Sequence, residues 1–505
     1  MGRKEEFFSH INTGYTTKGD FITIGAAMLN GETIPGAYVK VPLKTLNRHG
    51  LIAGATGTGK TKTLQLLAEN ISEKGIPVLL MDLKGDLSGL ARPSPGNPKI
   101  DERHLKIGIP FEAKAFPVEI LSLSEQEGIK LRATVSEFGP VLLSRILDLS
   151  ETQEGVVAVV FKYCDDNKLP LLDLKDFKKV LQYATSEGKK EFEQAYGRVS
   201  TSSTGSILRK IIELEQQGAE LFFGEKSFDV NDLTRLDKDG RGYINIIRLT
   251  DIQDRPKMFS TFMLSLLAEV YATFPEQGDT DRPELILFID EAHLIFKEAS
   301  RALLDQIESI VKLIRSKGIG LYFVTQDPSD VPDEILAQLG LKVQHALRAF
   351  TAKDRKAIKL SAENYPLSDY YDTKEVLTSL GIGEALITAL DEKGRPTPLA
   401  ATMMRAPMSR MDILTENELK QLINSSTLVE KYNQNIDRES AYELLNIKIE
   451  RAEEEAKQLA EREKRRGAGY TGTRPGNTRM NPVVKVLTSA TFIRGVLGIL
   501  KKVMS

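Results

Sequence analysis

The sequence predicts an α/β fold whose central sheet is mostly parallel, and three observations support this prediction. Continuous apolar runs are typical of parallel strands buried on both faces, and such runs cover 78–82, 285–290 and 320–325. The first run follows a helical pattern at 64–71, in which apolar residues recur every three or four positions. A short apolar strand at 49–53 precedes that helix, so strand, helix and strand form one βαβ unit.

The composition permits a large buried core and excludes several classes of protein. Of 505 residues, 41% are hydrophobic and 27% charged, which is neither collagen-like nor wholly disordered. The 68 basic and 70 acidic residues nearly cancel, and the net charge of −2 excludes a uniformly basic nucleic-acid coat protein. Cys164 is the single cysteine, so neither a disulfide nor a cysteine zinc site forms within one chain. The sequence has no signal-peptide core and no long uncharged apolar stretch, so we expect a cytoplasmic protein.

Composition and pattern divide the chain into five parts. Short strands at 21–25 and 37–41, with Asn30-Gly31 as a hairpin turn, form either a small β module or strands added to the next domain. A strand predicted at 242–247 ends a long helical stretch. The predicted parts are a β segment at 1–45, a core at 46–410 with a helical insertion at about 100–240, charged helices at 411–466, a linker at 467–482 and a basic amphipathic helix at 483–505.

The C-terminal region combines helix-start patterns with a basic tail. Thr415 with Glu418, and Ser440 with Glu443, have the spacing of capping boxes that open helices. From Lys464 to the end, nine basic residues occur with no acidic one. Such a tail would bind DNA phosphates, lie on an anionic membrane, or dock on the protein body or another subunit. These three interpretations stay open.

Residues 54–61 carry the motif that is most informative about function. They match G-x-x-x-x-G-K-[ST] and lie between a predicted strand and a predicted helix. The glycines let successive backbone N–H groups point at phosphate oxygens, and the helix N-terminus adds partial positive charge. Lys60 is predicted to reach the β and γ phosphates, and the Thr61 hydroxyl to ligate Mg²⁺. The predicted nucleotide-binding residues are Gly54, Ala55, Thr56, Gly57, Thr58, Gly59, Lys60, Thr61 and Thr63.

Polar residues at the ends of two later strands are candidates for the chemistry. Asp290 ends a buried apolar run, where open α/β sheets bind ligands, and is predicted to hold Mg²⁺ through its water shell. Glu291 would then polarise the attacking water as a general base. Gln326 ends the next run and would sense the γ-phosphate or orient water. The alternative for each is a polar strand end with no role in catalysis.

The run Asp82-Leu83-Lys84-Gly85-Asp86 has three interpretations. Asp82 lies near the metal, or the run is the D-x-x-G of a GTPase, or it is only a turn. A GTPase needs [NT]-K-x-D downstream, whereas the match at 17–20 precedes the phosphate loop. We therefore predict ATP, with Mg²⁺, as the ligand.

Two arginines are candidates for completing the site of a neighbouring subunit, as in many P-loop ATPases. Arg315 precedes a short glycine-containing turn, and Arg348 lies in the run Ala346-Leu347-Arg348-Ala349. The alternative for both is a surface or salt-bridged arginine.

Together these motifs resemble a known family. The runs Asn47-Arg48-His49-Gly50, Met81 to Asp86, Ile289-Asp290-Glu291-Ala292-His293 and Val324 to Pro328 are similar to motifs of the HerA-like ATPases in the FtsK–HerA superfamily. The similarity covers about 45–410 and is strongest to the bacterial YjgR-like branch. It implies a RecA-like P-loop core working as a hexameric ring that moves double-stranded DNA, with a nuclease as partner. It carries over Lys60, Thr61, Asp290, Glu291 and Gln326 as site residues.

Two hypotheses for the function follow. The first is Mg²⁺-dependent ATP hydrolysis by an oligomeric ring that translocates or unwinds double-stranded DNA. The alternative is an ATP-driven switch or scaffold that acts on a protein or membrane partner without moving DNA. The segment before the core departs from the family pattern, because it is shorter than the β-barrel that precedes the HerA core.

Overall fold

A computed structural model describes residues 2–467, apart from 253, 279, 299–300, 350, 435 and 437. Its first compact unit runs to Leu445 and holds the sheet; the second begins at Asn446, and its described part is helical up to Gly467. The predicted linker at 467–482 and basic helix at 483–505 lie outside the described residues, except for Gly467.

One twelve-stranded sheet forms the centre of the first unit. In chain order its strands are β1 (Phe21–Leu29), β2 (Glu32–Pro42), β3 (Gly50–Ala53), β4 (Val78–Asp82), β5 (Val118–Ser122), β6 (Ile129–Lys130), β7 (Ile244–Arg248), β8 (Leu285–Ile289), β9 (Ile319–Thr325), β10 (Leu341–Gln344), β11 (Glu384–Thr388) and β12 (Ala400–Met404). Their spatial order is β2-β1-β12-β11-β10-β3-β9-β8-β4-β7-β5-β6. The eight strands from β10 to β6 are parallel, and the other four extend the sheet with antiparallel pairs. The predicted α/β fold with a mostly parallel sheet is confirmed.

Seventeen α-helices connect and cover these strands within the part of the chain that the structure describes. They are α1 (Arg3–Gly14), α2 (Lys60–Glu73), α3 (Pro98–Ile107), α4 (Val135–Ile146), α5 (Glu151–Asn167), α6 (Leu174–Thr185), α7 (Lys189–Ala195), α8 (Thr201–Gln216), α9 (Pro256–Thr273), α10 (His293–Glu298), α11 (Arg301–Ile314), α12 (Asp333–Leu336), α13 (Ala352–Glu363), α14 (Thr373–Ser379), α15 (Glu416–Asn424), α16 (Thr427–Tyr432) and α17 (Ala441–Gly467). None of these helices is long and apolar enough to cross a bilayer.

The parallel arrangement collects the ends of β3, β4, β8, β9 and β10 at one border of the sheet, the C-terminal edge. The register shows this directly, because Ala53 at the end of β3 lies opposite both Thr325 and Gln344, the last residues of β9 and β10. Buried apolar side chains of the strands pack with those of α2 in a single core, including Ile52 and Leu64. Residues that follow these strands are therefore held together on a rigid support.

The N-terminal strands extend the central sheet, and a helix precedes them. β1 and β2 form a hairpin whose turn places Asn30 and Gly31 at positive φ, and β1 pairs with β12. The helix α1 is not among the elements predicted above. Phe7 and Ile11 are its two buried residues, and so few apolar positions among polar ones give little helical periodicity.

The region predicted as a helical insertion contains α3 to α8 and also adds two strands to the sheet. β5 was not predicted because Glu119, the second residue of the strand, is charged and interrupts the apolar run. Glu119 is buried and accepts a hydrogen bond from Arg235 at 2.5 Å, which offsets the cost of burying its charge. β10 was not predicted either, because Lys342 and Gln344 interrupt its apolar pattern.

The capping box predicted at the start of α15 is present, and one of the two bonds of the box predicted at the start of α17 is seen. At the start of α15, Glu418 N donates to Thr415 Oγ1 at 3.3 Å, and Thr415 N donates to Glu418 Oε2 at 2.9 Å. At the start of α17, Ser440 N donates to Glu443 Oε2 at 2.9 Å. These bonds satisfy N–H groups that a helix cannot pair internally.

Candidate nucleotide site

The phosphate-loop motif forms the turn between β3 and α2, as its sequence context predicts. Two glycines are required by their surroundings. A Cβ on Gly54 would lie 2.5 Å from Cβ of His345, and Gly59 has φ of 112° with Gly383 N only 3.2 Å from where its Cβ would be. The loop can therefore wrap closely only because these positions lack side chains.

Lys60 points back into the loop. Its Nζ donates to the carbonyl oxygens of Gly54 at 2.7 Å and Ala55 at 3.2 Å, and the side chain is buried. Burial lowers the pKa of Lys60, and nearby Lys84 lowers it further, while Glu291 and Asp290 oppose the shift. The ammonium thus lies at the inside of the turn, where the motif predicts a phosphate chain.

His345 contacts both the phosphate loop and the first turn of α2. Its Nδ1 lies 2.8 Å from the carbonyl oxygen of Glu384, and its Nε2 lies 2.9 Å from Thr63 Oγ1. Because a carbonyl only accepts, Nδ1 carries the proton and Nε2 accepts from the Thr63 hydroxyl. Burial lowers the pKa of His345 to about 4, so the ring is neutral. The sequence offered no pattern for this contact, and Thr63, predicted to bind nucleotide, directs its hydroxyl to His345.

Asp290 and Glu291 follow β8 at the same edge and are both buried. Asp290 Oδ1 accepts from the backbone N–H of Glu291 at 2.9 Å, and burial raises the pKa of Asp290 to about 6 despite the opposing charge of Lys84. Glu291 has φ of 47°, an uncommon conformation for a residue other than glycine. Such backbone outliers concentrate at functional sites.

Lys84 completes the charged cluster and was not predicted. Its Nζ lies 2.7 Å from Glu291 Oε1 and 4.0 Å from Asp290 Oδ2. Burial alone would lower the pKa of Lys84, but Asp290 and Glu291 outweigh burial and raise it. The run 82–86 contains this lysine, yet only the folded turn shows which of its residues meets the carboxylates.

The structure favours the turn interpretation for Asp82 itself. Its carboxylate accepts from the backbone N–H groups of Gly85 at 2.7 Å, and of Asp86 and Leu87 at 3.2 Å each. Burial, and then the charge of Asp86, raise the pKa of Asp82 to about 6. With both oxygens occupied by the turn, Asp82 supports the loop that carries Lys84.

The remaining predicted residues fall on two opposite borders of the sheet. Gln326 lies at the C-terminal edge, with Oε1 3.4 Å from Thr56 Oγ1. Arg348 is exposed at the same edge, two residues after Ala346, whose carbonyl accepts from Ala55 N at 2.9 Å. Arg315 instead precedes β9, so about 20 Å of strand separates it from the phosphate loop of its own chain.

The residues present fit a nucleotide with Mg²⁺. Thr61, half-buried at the start of α2, and Asp290 offer the hydroxyl and carboxylate oxygens that Mg²⁺ prefers, and Mg²⁺ commonly takes few protein ligands beside substrate phosphates. Glu291 Oε2 is buried and has no hydrogen-bond partner among the residues that the structure describes. His293 Nδ1 lies 3.3 Å away but without hydrogen-bond geometry. A buried acceptor without a donor is suited to a bound water.

One face of α2 is bonded to a segment far along the chain, residues 405–412, which we name the strap. Lys62 Nζ donates to the carbonyl of Met411, and Gln65 Nε2 donates to Ser409 Oγ at 2.7 Å and to Arg410 O at 3.0 Å. Farther along the helix, Glu69 Oε2 accepts from Met408 N at 2.7 Å, and its Oε1 accepts from Ser409 N at 3.0 Å. The helix that carries the phosphate loop is therefore fixed along its length.

Glu69 gives the strap contact a testable pH dependence. Burial raises the pKa of Glu69 to about 7 from 4.5. The folded state then holds this proton more tightly than the unfolded chain, so stability falls as pH rises from about 4.5 to about 7, by up to about 3 kcal/mol. Glu69→Gln is expected to make the fall in melting temperature across this range smaller, as measured by calorimetry, and the contributions of Asp82 and Asp290, whose pKa values are also raised, should remain. The control is Glu73→Gln, one helical turn later and more exposed, which should keep the wild-type dependence of melting temperature on pH. If Glu69→Gln also kept the wild-type dependence, the raised pKa would not belong to Glu69.

Comparison with known proteins assigns the chain to a family. The family model described as Helicase HerA-like C-terminal matches residues 28–492. The DNA double-strand break repair helicase HerA of Saccharolobus solfataricus is 27% identical over 357 residues, which are 69% of this chain and 63% of that protein. A probable helicase of Methanocaldococcus jannaschii is 26% identical over 430 residues, 77% of this chain and 72% of that one.

A solved structure shares the fold. The plasmid coupling protein TrwB, in complex with a non-hydrolysable ATP analogue, superposes with a TM-score of 0.51 at 15% identity, covering 78% of this chain and 97% of that one. At this identity the likeness concerns the fold alone. The family model, by contrast, spans most of the sequence, including the phosphate loop, Lys84 and the Asp290–Glu291 pair, and the chain therefore belongs to the HerA-like C-terminal helicase family.

Proposed function

We propose that this protein hydrolyses ATP with Mg²⁺ and uses the energy, as an oligomeric ring, to move or unwind double-stranded DNA. The observation that carries the hydrolytic half is that Lys60, Asp290 and Glu291 lie at the C-terminal edge of the sheet, near enough for the two carboxylates to influence the pKa of Lys60. A phosphate-binding turn, a metal-binding carboxylate and a general base are the parts that phosphoryl transfer to water requires.

Each residue has a distinct task in this proposal. The loop N–H groups and the N-terminus of α2 bind the phosphates, and Lys60 transfers its hydrogen bonds from Gly54 and Ala55 to phosphate oxygens. Glu291 accepts a proton from water and orients its attack. Thr61 and Asp290 would hold Mg²⁺, which when bound neutralises charge on the phosphates. Gln326, beside Thr56, is placed to orient water or the γ-phosphate.

The DNA half of the proposal rests on kinship and on the placement of Arg315. Relatives that match this chain are named as helicases, although the chain spans about 63% of the length of the HerA that it matches. Arg315 at the border opposite its own phosphate loop is suited to a head-to-tail ring, in which that border meets the loop of the next subunit. From the same kinship we propose a ring of six subunits and a nuclease as a partner.

ATP turnover with and without duplex DNA tests the motor proposal. We expect duplex DNA to raise the ATPase rate at low salt, with a steep loss of stimulation as salt rises, because phosphate contacts release counterions. Assembly mass should be measured in the same samples. An intact oligomer that shows no stimulation would favour the alternative, an ATP-driven switch or scaffold.

Mixed oligomers test which arginine acts in trans. Arg315→Ala alone should lose at least about a hundredfold in turnover, because arginines supplied in trans are worth that much or more. Mixed in equal amounts with Lys60→Ala, it should recover about a quarter of the wild-type sites, those where an intact loop meets an intact Arg315 in a heterologous interface. Arg348→Ala, whose arginine lies at the edge of its own loop, should show no such recovery. Recovery with Arg348→Ala and none with Arg315→Ala would reverse the assignment.

A further inference from the structure

Lys84 forms an ion pair with the carboxylate of Glu291, the general base in the proposed hydrolysis. Lys84 Nζ is 2.7 Å from Glu291 Oε1, within range of a charge-assisted hydrogen bond. This bond holds Oε1 beside Lys84 and so fixes the orientation of the Glu291 carboxylate. The other oxygen, Oε2, is buried and has no hydrogen-bond partner within the described part of the chain. While Lys84 holds Oε1, only Oε2 is left to accept from a water, and the carboxylate cannot turn to improve that contact.

The exposure of the two side chains sets the strength of this contact. The Lys84 side chain is 42% exposed and that of Glu291 is 11% exposed, so the pair lies at the boundary between the site and solvent. Ion pairs with an exposed partner contribute at most about a fivefold change in an equilibrium at room temperature. Such a pair restrains Glu291 in the resting protein and is still readily broken.

The loop that carries Lys84 limits how the pair can open. The backbone around Lys84 is fixed by Asp82, whose carboxylate accepts from Gly85, Asp86 and Leu87. The lysine side chain is long, flexible and exposed, so it can swing away while the loop stays in place. Opening therefore requires a rotamer change of one side chain.

We propose that Lys84 is a positioning residue that holds the Glu291 carboxylate in one restrained orientation until Lys84 is drawn away. The inference rests on the proposed function, since it assigns a restraint to the same general base. It predicts that removal of the Lys84 charge releases Glu291 and raises the resting rate of hydrolysis.

Three variants test the proposal, assayed at alkaline pH, where the neighbouring carboxylates are ionised. Lys84→Met keeps the length of the side chain and removes its charge, and it should raise ATP turnover without DNA about two- to fivefold, as expected for loss of a partly exposed pair. Lys84→Arg keeps a cation and should restore most of the restraint. The matched control is Lys162→Met in α5, whose pair with Asp166 is 2.6 Å long and exposed, and which should leave turnover unchanged.

Binding and melting give readouts that do not depend on turnover. Lys84→Met should bind a fluorescent non-hydrolysable ATP analogue within about twofold of wild type, whereas a lysine that held phosphate would cost about tenfold or more. Melting temperatures of Lys84→Met, Glu291→Gln and the double variant, without nucleotide, should be non-additive.

The outcomes separate the restraint from the wider function. A fall or no change in the resting rate of Lys84→Met would overturn the proposal, as would a tenfold loss of nucleotide affinity or additive melting shifts. A rise in the resting rate, with equal affinity and non-additive melting, would support it. A wild-type protein that hydrolyses no ATP under any condition would instead remove the proposed function, and the melting series would still decide whether the pair exists.

Discussion

Lys60→Ala is expected to lower ATP turnover by about a thousandfold, because it removes the cation that stabilises charge on the transferred phosphoryl group. The fold should persist. In the structure Lys60 Nζ donates to two loop carbonyls, Gly54 and Ala55, and both can be satisfied by water once the side chain is gone. We expect a loss of about 1–2 kcal/mol in unfolding free energy from those bonds. Steady-state phosphate release and thermal melting measure the two effects.

A matched control lies at the other end of the same helix. Lys74, just past the end of α2, pairs with Asp20 at 2.9 Å and is remote from the phosphate loop. Lys74→Ala should change turnover by less than about twofold, because an exposed pair contributes little. If Lys60→Ala hydrolysed ATP at the wild-type rate, the assignment of the phosphate loop as the catalytic site would be wrong.

Glu291→Gln is expected to slow hydrolysis by about a hundred- to ten-thousandfold, the range attributed to general acid–base catalysis. Glutamine keeps the size of the side chain and loses its ability to accept a proton. Nucleotide binding should be retained or tightened, because the loop N–H groups and Lys60 are unchanged. Single-turnover kinetics and binding of a non-hydrolysable analogue separate the two effects.

The control for this variant is on the same strand at the opposite border. Glu284 immediately precedes β8, whereas Glu291 follows it. Glu284→Gln should therefore leave the rate of hydrolysis near wild type. A Glu291→Gln protein that turns over at the wild-type rate would show that another group activates the water.

Elements with a strong local pattern were predictable from the sequence. β4, β8 and β9 are continuous apolar runs, and α2 has a helical apolar face behind a phosphate-loop motif. Elements whose pattern is broken by polar residues were not. β5 contains Glu119, and α1 carries two buried residues among polar ones, so each becomes recognisable only when its tertiary partners are known.

The residues of the site also differ in whether a local sequence pattern predicts them. Lys60 and the acidic pair after β8 follow from motifs because their roles depend on neighbours in the chain. His345, Glu69 and Lys84 depend on partners brought close by the fold, and His345 meets Thr63 across 282 positions of sequence. No local pattern encodes such a contact. Motifs therefore predicted the residues proposed for the chemistry, and the residues that position them were recognised only in the folded structure.

The position of β3 in the sheet has a consequence for synthesis of the protein. The two neighbours of β3, the strands β9 and β10, are synthesised later, because Ala53 pairs with Thr325, 272 positions further on (325 − 53), and with Gln344, 291 positions further on (344 − 53). A ribosome that adds about 5–20 residues per second takes about 15–60 s to cover that interval. Until β9 is synthesised, the apolar strand β3 has no neighbouring strand to pair with. During that time β3 is exposed to aggregation and to chaperones. A nascent chain released before Gln344 would possess the whole motif and still be unable to build the pocket around it.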